Sequence, residues 1–160
     1  MIILGIDPGT TRIGFGVVRS DKKSGKNPQL IDCGILKITS YDTSGRLEEA
    51  AHHFRALVKK HRPGLIAMEK LFFVTNQKTG MAVAEVRGAL RLLTQEHKVP
   101  FLEFAPTEVK SAVAGFGNAD KIAVRKMVCL ALGLKQFPGP DDVSDALAVA
   151  LTALYHHLKT

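Results

Sequence analysis

The chain has 160 residues, and its 22 lysines and arginines against 15 aspartates and glutamates give a formal net charge of +7. This length is enough for one folded domain over residues 1–160, and the basic surface suits a polyanion such as nucleic acid. Cys33 and Cys129 lack the spacing of a zinc site or a disulfide framework, and no apolar run is long enough to span a membrane. Since no signal-peptide pattern is visible either, we expect a cytoplasmic protein without a membrane partner.

An acidic residue stands at the first turn of the chain. Residues 2–6 predict a short buried strand that ends at Asp7, and Pro8 and Gly9 then turn the chain. An alternating apolar pattern predicts a second strand over residues 12–18, and residues 29–38 predict a third strand of an antiparallel meander. An acid at such a turn holds a divalent metal ion, binds a nucleotide's phosphates through such an ion, or only caps the turn, and this stretch alone leaves all three open.

A helix is predicted after the meander, with Ser44 as its N-cap and acids in its early turns. It is expected to end at residues 62–64, where Arg-Pro-Gly breaks the pattern. His52, His53 and His61 have no acid arranged around them in the sequence, so we expect ordinary surface histidines.

The next strand also ends in a carboxylate. Residues 65–68 are apolar and Glu69 follows them. A helix between two strands predicts a parallel crossover, which would place this strand beside the first one. Asp7 and Glu69 would then lie at the same edge of the sheet, where open α/β sheets carry their sites.

The segment after Glu69 contains two adjacent aromatic residues, Phe72 and Phe73, followed by amides and Lys78. Either both rings pack into the core, or at least one projects towards bases that it can stack on or wedge between. A long helix over residues 79–97 follows, and its small residues suit either a dimer interface or close packing inside one subunit.

Residues 99–104 predict a further strand, and two short basic helices follow it. The first helix carries Lys110 and the second carries Lys121, with a glycine-rich turn at 115–118 between them. Such a pair suits a surface that contacts phosphates, although a solvated basic face is the alternative for each lysine.

Two acids open the last predicted helix. Asp142 and Asp145 are three residues apart and therefore share one helix face, which Val149 continues towards the sheet. Burying two carboxylates without a cation costs free energy, so this face predicts a site with compensating positive charge. Asp141 precedes them and is expected to point outwards.

Together these patterns predict four carboxylates from three elements at one point: Asp7, Glu69, Asp142 and Asp145. Hard oxygen ligands favour Mg²⁺, with Mn²⁺ as its usual substitute. With two ions in one site, such a group of acids can activate water and stabilise the leaving oxygen of a phosphodiester.

Three segments carry a resemblance to a known family: residues 5–9 (GIDPG), 67–72 (AMEKLF) and 142–148 (DVSDALA). In this order and at these separations they resemble the RuvC-type Holliday junction resolvases of bacteria, and the resemblance covers essentially the whole chain. It implies an α/β RNase H-like fold, with a mixed five-stranded sheet flanked by helices. It also implies an endonuclease that resolves four-way DNA junctions in recombination and repair, as a homodimer and in partnership with the RuvA–RuvB branch-migration machinery.

The resemblance assigns roles to residues of this chain. The metal-site acids of the family fall on Asp7, Glu69, Asp142 and Asp145, and its cleavage-supporting lysines fall on Lys110 and Lys121. The phenylalanine that wedges the junction falls on Phe72, and we take Phe73 and Lys78 as further candidates for DNA binding. The additional acid Asp141 leaves open a register shift of one residue, and the DxxDALA pattern favours Asp142.

Three other interpretations remain open at this point. Residues 5–11 (GIDPGTT) also match the start of actin-like and sugar-kinase ATPases, but those proteins need two such domains. A related nuclease that acts on RNA or on other DNA structures would use the same acids. A junction-binding module without catalysis would leave the predicted cluster of buried acids unexplained.

Overall fold

The computed structural model describes residues 1–20, 28–71 and 77–159. The elements in chain order are β1 (Ile2–Asp7), β2 (Arg12–Arg19), β3 (Gln29–Lys37), α1 (Thr43–His61), β4 (Leu65–Glu69), α2 (Gln77–Glu96), β5 (Phe101–Phe104), α3 (Pro106–Ala114), α4 (Lys121–Leu132) and α5 (Asp141–Lys159). Among the described residues, no helix is both long and apolar enough to cross a membrane.

The five strands form one mixed sheet in the order β3-β2-β1-β4-β5. β1, β2 and β3 pair as an antiparallel meander, whereas β4 and β5 join β1 in parallel. The predicted crossover is therefore confirmed: α1 carries the chain across the sheet, and β4 lies beside β1.

The two faces of the sheet bury different helices. One core contains α1 and α2 against side chains such as Leu4 and Ile66. The other core contains α3, α4 and α5 against their neighbours along the strands, such as Ile3 and Leu65. Because successive side chains of a strand point to opposite faces, the odd-numbered residues of β1 and β4 face α5.

Three element boundaries differ from the sequence predictions. The N-cap of α1 is Asp42 rather than Ser44, since the Asp42 carboxylate accepts a hydrogen bond of 2.9 Å from the Gly45 N–H. β5 begins at Phe101, directly after Pro100, which has no N–H to donate to a sheet. α2 runs from Gln77 to Glu96 rather than over residues 79–97.

The prediction that His61 is a surface histidine is wrong. Its ring is buried at the end of α1, and Nε2 lies 2.9 Å from Oδ2 of Asp32 on β3. Lys60 Nζ reaches the same oxygen at 2.7 Å. The partner comes from a strand 29 residues earlier in the sequence, so helix periodicity alone did not reveal it.

Candidate active site

Two of the four predicted acids lie at adjacent strand ends. Asp7 is the last residue of β1 and Glu69 is the last residue of β4, and the parallel register pairs Ile6 with Met68 immediately before them. By strand alternation both carboxylates belong to the sheet face that α5 covers. The predicted position of Asp7 and Glu69 at one edge is therefore confirmed.

The other two acids reach this edge because α5 lies directly against the strands. A Cβ atom at Gly5 would lie 2.1 Å from the carbonyl oxygen of Ala146, and one at Gly14 would lie 2.1 Å from that of Asp142. Gly14 pairs with Asp7 across the hairpin. Glycine at these two strand positions therefore lets the first turns of α5, with Asp142 and Asp145, approach Asp7.

The electrostatics of the site show how closely the acids interact. Burial raises the pKa of Asp7 to about 7, and the negative charges of Asp145, Asp142 and Glu69 add to this rise. Burial and the charge of Asp145 also raise the pKa of Glu69. For Asp145, burial again raises the pKa, although the nearby Lys121 ammonium opposes the rise. Burial and neighbouring negative charges thus disfavour the charged forms of Asp7, Glu69 and Asp145, and a bound cation would stabilise them.

Both predicted lysines lie beside the acids. Lys121, the first residue of α4, places Nζ 3.5 Å from Oδ2 of Asp145, and its positive charge also lowers the pKa of Asp7. The positive charge of Lys110 on α3 opposes the rise in the pKa of Glu69. Glu69, Lys110, Lys121 and Asp145 line a common cleft of about 220 Å³. The cleft thus has acids from β4 and α5 and ammonium groups from α3 and α4.

Arg12 is a neighbour of the site that the sequence patterns did not single out. It is the first residue of β2, and its Nη2 atom lies 2.9 Å from Oδ2 of Asp142. The same oxygen is excluded from solvent and accepts no well-aligned hydrogen bond, so its contact with Arg12 is electrostatic. The one available signal was the position of Arg12, directly after the turn that follows Asp7.

Asp141 is exposed to solvent, as predicted, although its negative charge adds to the rise that burial gives the pKa of Asp145. Oδ1 of Asp141 lies 3.7 Å from Nη1 of Arg125 on α4. Arg125 also stacks on the Phe137 ring, with its guanidinium carbon 4.6 Å from the ring centroid. The register that selects Asp142 rather than Asp141 therefore agrees with the geometry of α5.

The donor set fits a divalent metal ion. The candidate ligands are carboxylate oxygens, and the buried Asp142 oxygen without a hydrogen bond is a group that a cation would satisfy. Within residues 1–20, 28–71 and 77–159, no three His, Cys, Asp and Glu side chains are close enough to form a ready-made metal cage.

Other predicted DNA-binding residues fall outside this description. Phe72 and Phe73 lie outside the described residues, and so does the side chain of Lys78, whose backbone belongs to the first turn of α2. Their predicted contacts with DNA stay predictions.

A larger cleft of about 470 Å³ lies elsewhere, between the edge strand β5 and the ends of α3 and α5, with Phe104, Glu108 and Tyr155 in its lining. None of the four clustered acids lines it. We therefore assign the chemistry to the smaller cleft, because its lining contains the clustered acids Glu69 and Asp145 together with Lys110 and Lys121.

Comparison with known proteins agrees with this geometry. The family model described as crossover junction endodeoxyribonuclease RuvC matches residues 3–153. The protein of that name from Prochlorococcus marinus is 43% identical over 156 residues, which cover 97% of this chain and 99% of that protein.

Two solved structures of Thermus thermophilus RuvC are similar over almost their whole length. The first is 35% identical to this chain with a TM-score of 0.89, and the match covers 100% of this chain and 98% of the Thermus chain. The second, in complex with a Holliday junction substrate, is 34% identical with a TM-score of 0.91. The match covers 99% of this chain and 96% of the Thermus chain. These neighbours confirm the predicted RNase H-like fold. The chain belongs to the RuvC family of crossover junction endodeoxyribonucleases.

Proposed function

We propose that this chain is a structure-selective endonuclease that resolves four-way Holliday junctions by paired metal-dependent nicks, during homologous recombination and DNA repair. The observation that carries the proposal is the meeting of Asp7, Glu69, Asp142 and Asp145 beside two lysines, in a member of this family. Clustered acids that need a cation, flanked by ammonium groups that attract phosphate, suit phosphodiester hydrolysis.

In the proposed mechanism the four carboxylates would hold two Mg²⁺ ions, with Mn²⁺ as a substitute. Bound ions of this kind supply an activated water and stabilise the leaving oxygen. The chain contributes the positions of the ligands: Asp7 and Glu69 are fixed by the sheet, and Asp142 and Asp145 by the first turns of α5. Positioning on strands and on a helix holds the reacting groups more rigidly than a loop would.

The lysines would hold the strand that is cut. Lys110 and Lys121 line the same cleft as Glu69 and Asp145, so a phosphate that enters the cleft meets acids and ammonium groups together. Lys121 compensates the charge of Asp145 before DNA arrives, at 3.5 Å. Both lysines would then neutralise the scissile phosphate, which makes binding depend on salt.

Two coordinated nicks on opposite arms need two active sites related by a twofold axis, so we propose a homodimer. α2 is the candidate interface because one of its sides remains exposed, with Met81 and Leu92 among its apolar residues. Phe72 and Phe73 would contact unpaired bases at the crossover, with Lys78 near them. We further propose that the protein acts in the bacterial cytoplasm with the RuvA–RuvB complex.

The test is incubation with a four-way junction and with a linear duplex of the same sequence, each with Mg²⁺ and with EDTA. We expect symmetric nicks in the junction only, and only with Mg²⁺. Equal cutting of the linear duplex would favour a less selective nuclease of the same fold. Binding of the junction without cutting in Mg²⁺ and in Mn²⁺ would contradict the proposed activity.

A further inference from the structure

Two basic side chains near the acid cluster pair with different acids. Lys121 pairs with Asp145 at 3.5 Å, whereas Arg12 pairs with Asp142 at 2.9 Å. Arg12 begins β2, on the other side of α5 from the cleft that contains Lys110 and Lys121. The cluster is thus compensated from two directions, and Arg12 supplies one of them.

The contact between Arg12 and Asp142 has the properties of an exchangeable pair. The Arg12 side chain is 58% exposed, whereas that of Asp142 is 27% exposed. Because Oδ2 of Asp142 is excluded from solvent, it needs a compensating cation, and a divalent ion that replaced the largely solvated Arg12 would supply one. The Asp142 oxygen at this contact has no well-aligned hydrogen bond that would have to be broken.

We propose that Arg12 is the counter-ion of the metal-free site and becomes a phosphate-binding residue when metal is bound. The proposal rests on the proposed function, since it takes Asp142 as a metal ligand. While the site is empty, the guanidinium compensates the Asp142 carboxylate. When a divalent cation takes this carboxylate, the guanidinium is released at the same edge and binds a phosphate of the DNA strand.

The chemistry of the side chain suits both partners. A guanidinium presents a planar fork of donors that matches either a carboxylate or a phosphate, and it stays charged in both states. Arg12 needs no long movement, because its side chain is 58% exposed and already lies at the acid cluster, in contact with Asp142. Metal binding and DNA binding would therefore favour each other through one side chain.

The first measurement is calorimetric titration of Mn²⁺ into the full chain without DNA. Arg12→Gln removes a competing charge, so we expect Mn²⁺ to bind about two- to fivefold more tightly than to the wild type. Arg55→Gln is the matched control, because Arg55 pairs with Glu96 at 3.9 Å away from the acids. An unchanged or weaker affinity in Arg12→Gln would overturn the proposal, since an arginine that only orients Asp142 would help metal binding.

Asp142→Asn in the same titration separates this inference from the proposed function. We expect it to weaken Mn²⁺ binding. If Asp142→Asn bound Mn²⁺ as the wild type does, Asp142 would not be a ligand and both proposals would fail. If Asp142→Asn lost binding and Arg12→Gln gained none, the inference on Arg12 alone would be contradicted.

The second measurement is the salt dependence of junction affinity, in EDTA and in Ca²⁺, with gels verifying that the junction stays uncut. In Ca²⁺ we expect Arg12→Gln to reduce the slope of log affinity against log salt by about one, as for the loss of one phosphate contact. In EDTA the slope should equal that of the wild type, because Arg12 remains on Asp142. An equal loss of slope in both conditions, or none in Ca²⁺, would refute the exchange.

Discussion

Asp7 has the largest pKa shift that we resolve within the acid cluster, since burial and, after it, three neighbouring carboxylates raise its pKa to about 7. In the unfolded chain the same group ionises near its ordinary value of 3.8. The folded protein therefore binds a proton more tightly than the unfolded one. The free energy of unfolding should fall as the pH rises between these two values, and the loss is complete above the folded pKa.

This pH dependence of the free energy of unfolding gives a testable prediction for Asp7→Asn in EDTA. The variant should be more stable than the wild type, and its advantage should be about 2–3 kcal/mol larger near pH 8 than near pH 5. Urea denaturation at both pH values measures this difference. If the stability advantage of the variant were the same at both pH values, the pKa of Asp7 would not be raised in the folded protein.

The buried His61 is a second residue whose environment makes a prediction. His61→Ala removes the contact with Asp32 and should lower the free energy of unfolding by about 1–3 kcal/mol, without loss of cleavage. His53 on the same helix is the control, because it is half-exposed and lies 3.8 Å from Glu49. Equal effects of the two alanine variants in urea denaturation would contradict the structural role of His61.

The sequence revealed the acids together with Lys110 and Lys121, but not the contact of Arg12 with Asp142 or that of His61 with Asp32, for a physical reason. Asp7, Glu69 and Asp142 stand at strand ends and at a helix start, and these positions follow from local periodicity. Arg12 and His61 meet their acids through side chains from distant elements, which periodicity does not describe. The N-cap of α1 was misassigned because Asp42 and Ser44 both have side chains that suit this position.

The close packing of α5 against β1 and β2 is the feature of the secondary structure that brings the acids of the site together. Gly5→Ala would drive a methyl group into the backbone of α5, 2.1 Å from the Ala146 carbonyl oxygen and 2.7 Å from the Ala150 nitrogen. Backbone atoms cannot move aside as side chains do. We expect a loss of at least about 1–3 kcal/mol of stability, and displaced acids with little cleavage in the protein that still folds.

Gly64→Ala is the matched control for this prediction. Its Cβ would meet only ordinary contacts, 3.4 Å from the Met1 side chain and 3.8 Å from the Ile2 carbonyl oxygen. Stability from urea denaturation and cleavage of a four-way junction should both stay near the wild type. If Gly5→Ala behaved in the same way, the close approach of α5 would not be what positions the acids.

The β1–β2–β3 meander and the place of β4 beside β1 were predictable because hydrophobic alternation and parallel crossovers follow simple rules. The strand glycines Gly5 and Gly14 were not read as contact points for α5, although glycine inside a strand is a signal of close approach. Their meaning depends on which helix crosses them, and that is a property of the assembled fold.

For the whole molecule, the central prediction is a dimer through the exposed side of α2. Leu92 on α2 and Leu130 on α4 are each 61% exposed, so they form a matched pair. Leu92→Glu should place a charge in the interface and give monomers at micromolar concentration, whereas Leu130→Glu should stay dimeric. Sedimentation velocity distinguishes the two; a monomeric wild type, or a dimeric Leu92→Glu protein, would contradict this interface.

Cleavage by two neighbouring aspartate variants tests the account most directly. Asp142 and Asp141 are adjacent in α5, but the charge of Asp142 acts on Asp7 in the acid cluster, whereas the exposed Asp141 carboxylate pairs with Arg125. Both Asp→Asn changes remove one charge, so general electrostatic effects are matched. The measurement is the rate of junction cleavage in Mg²⁺, with junction affinity determined in parallel.

We predict that Asp142→Asn lowers the cleavage rate by more than about a hundredfold while it still binds the junction, since the ligand is lost and the lysines remain. Asp141→Asn should cleave at nearly the wild-type rate. An active Asp142→Asn enzyme together with an inactive Asp141→Asn enzyme would contradict the site, because the acids that the fold brings together would not be those that cut.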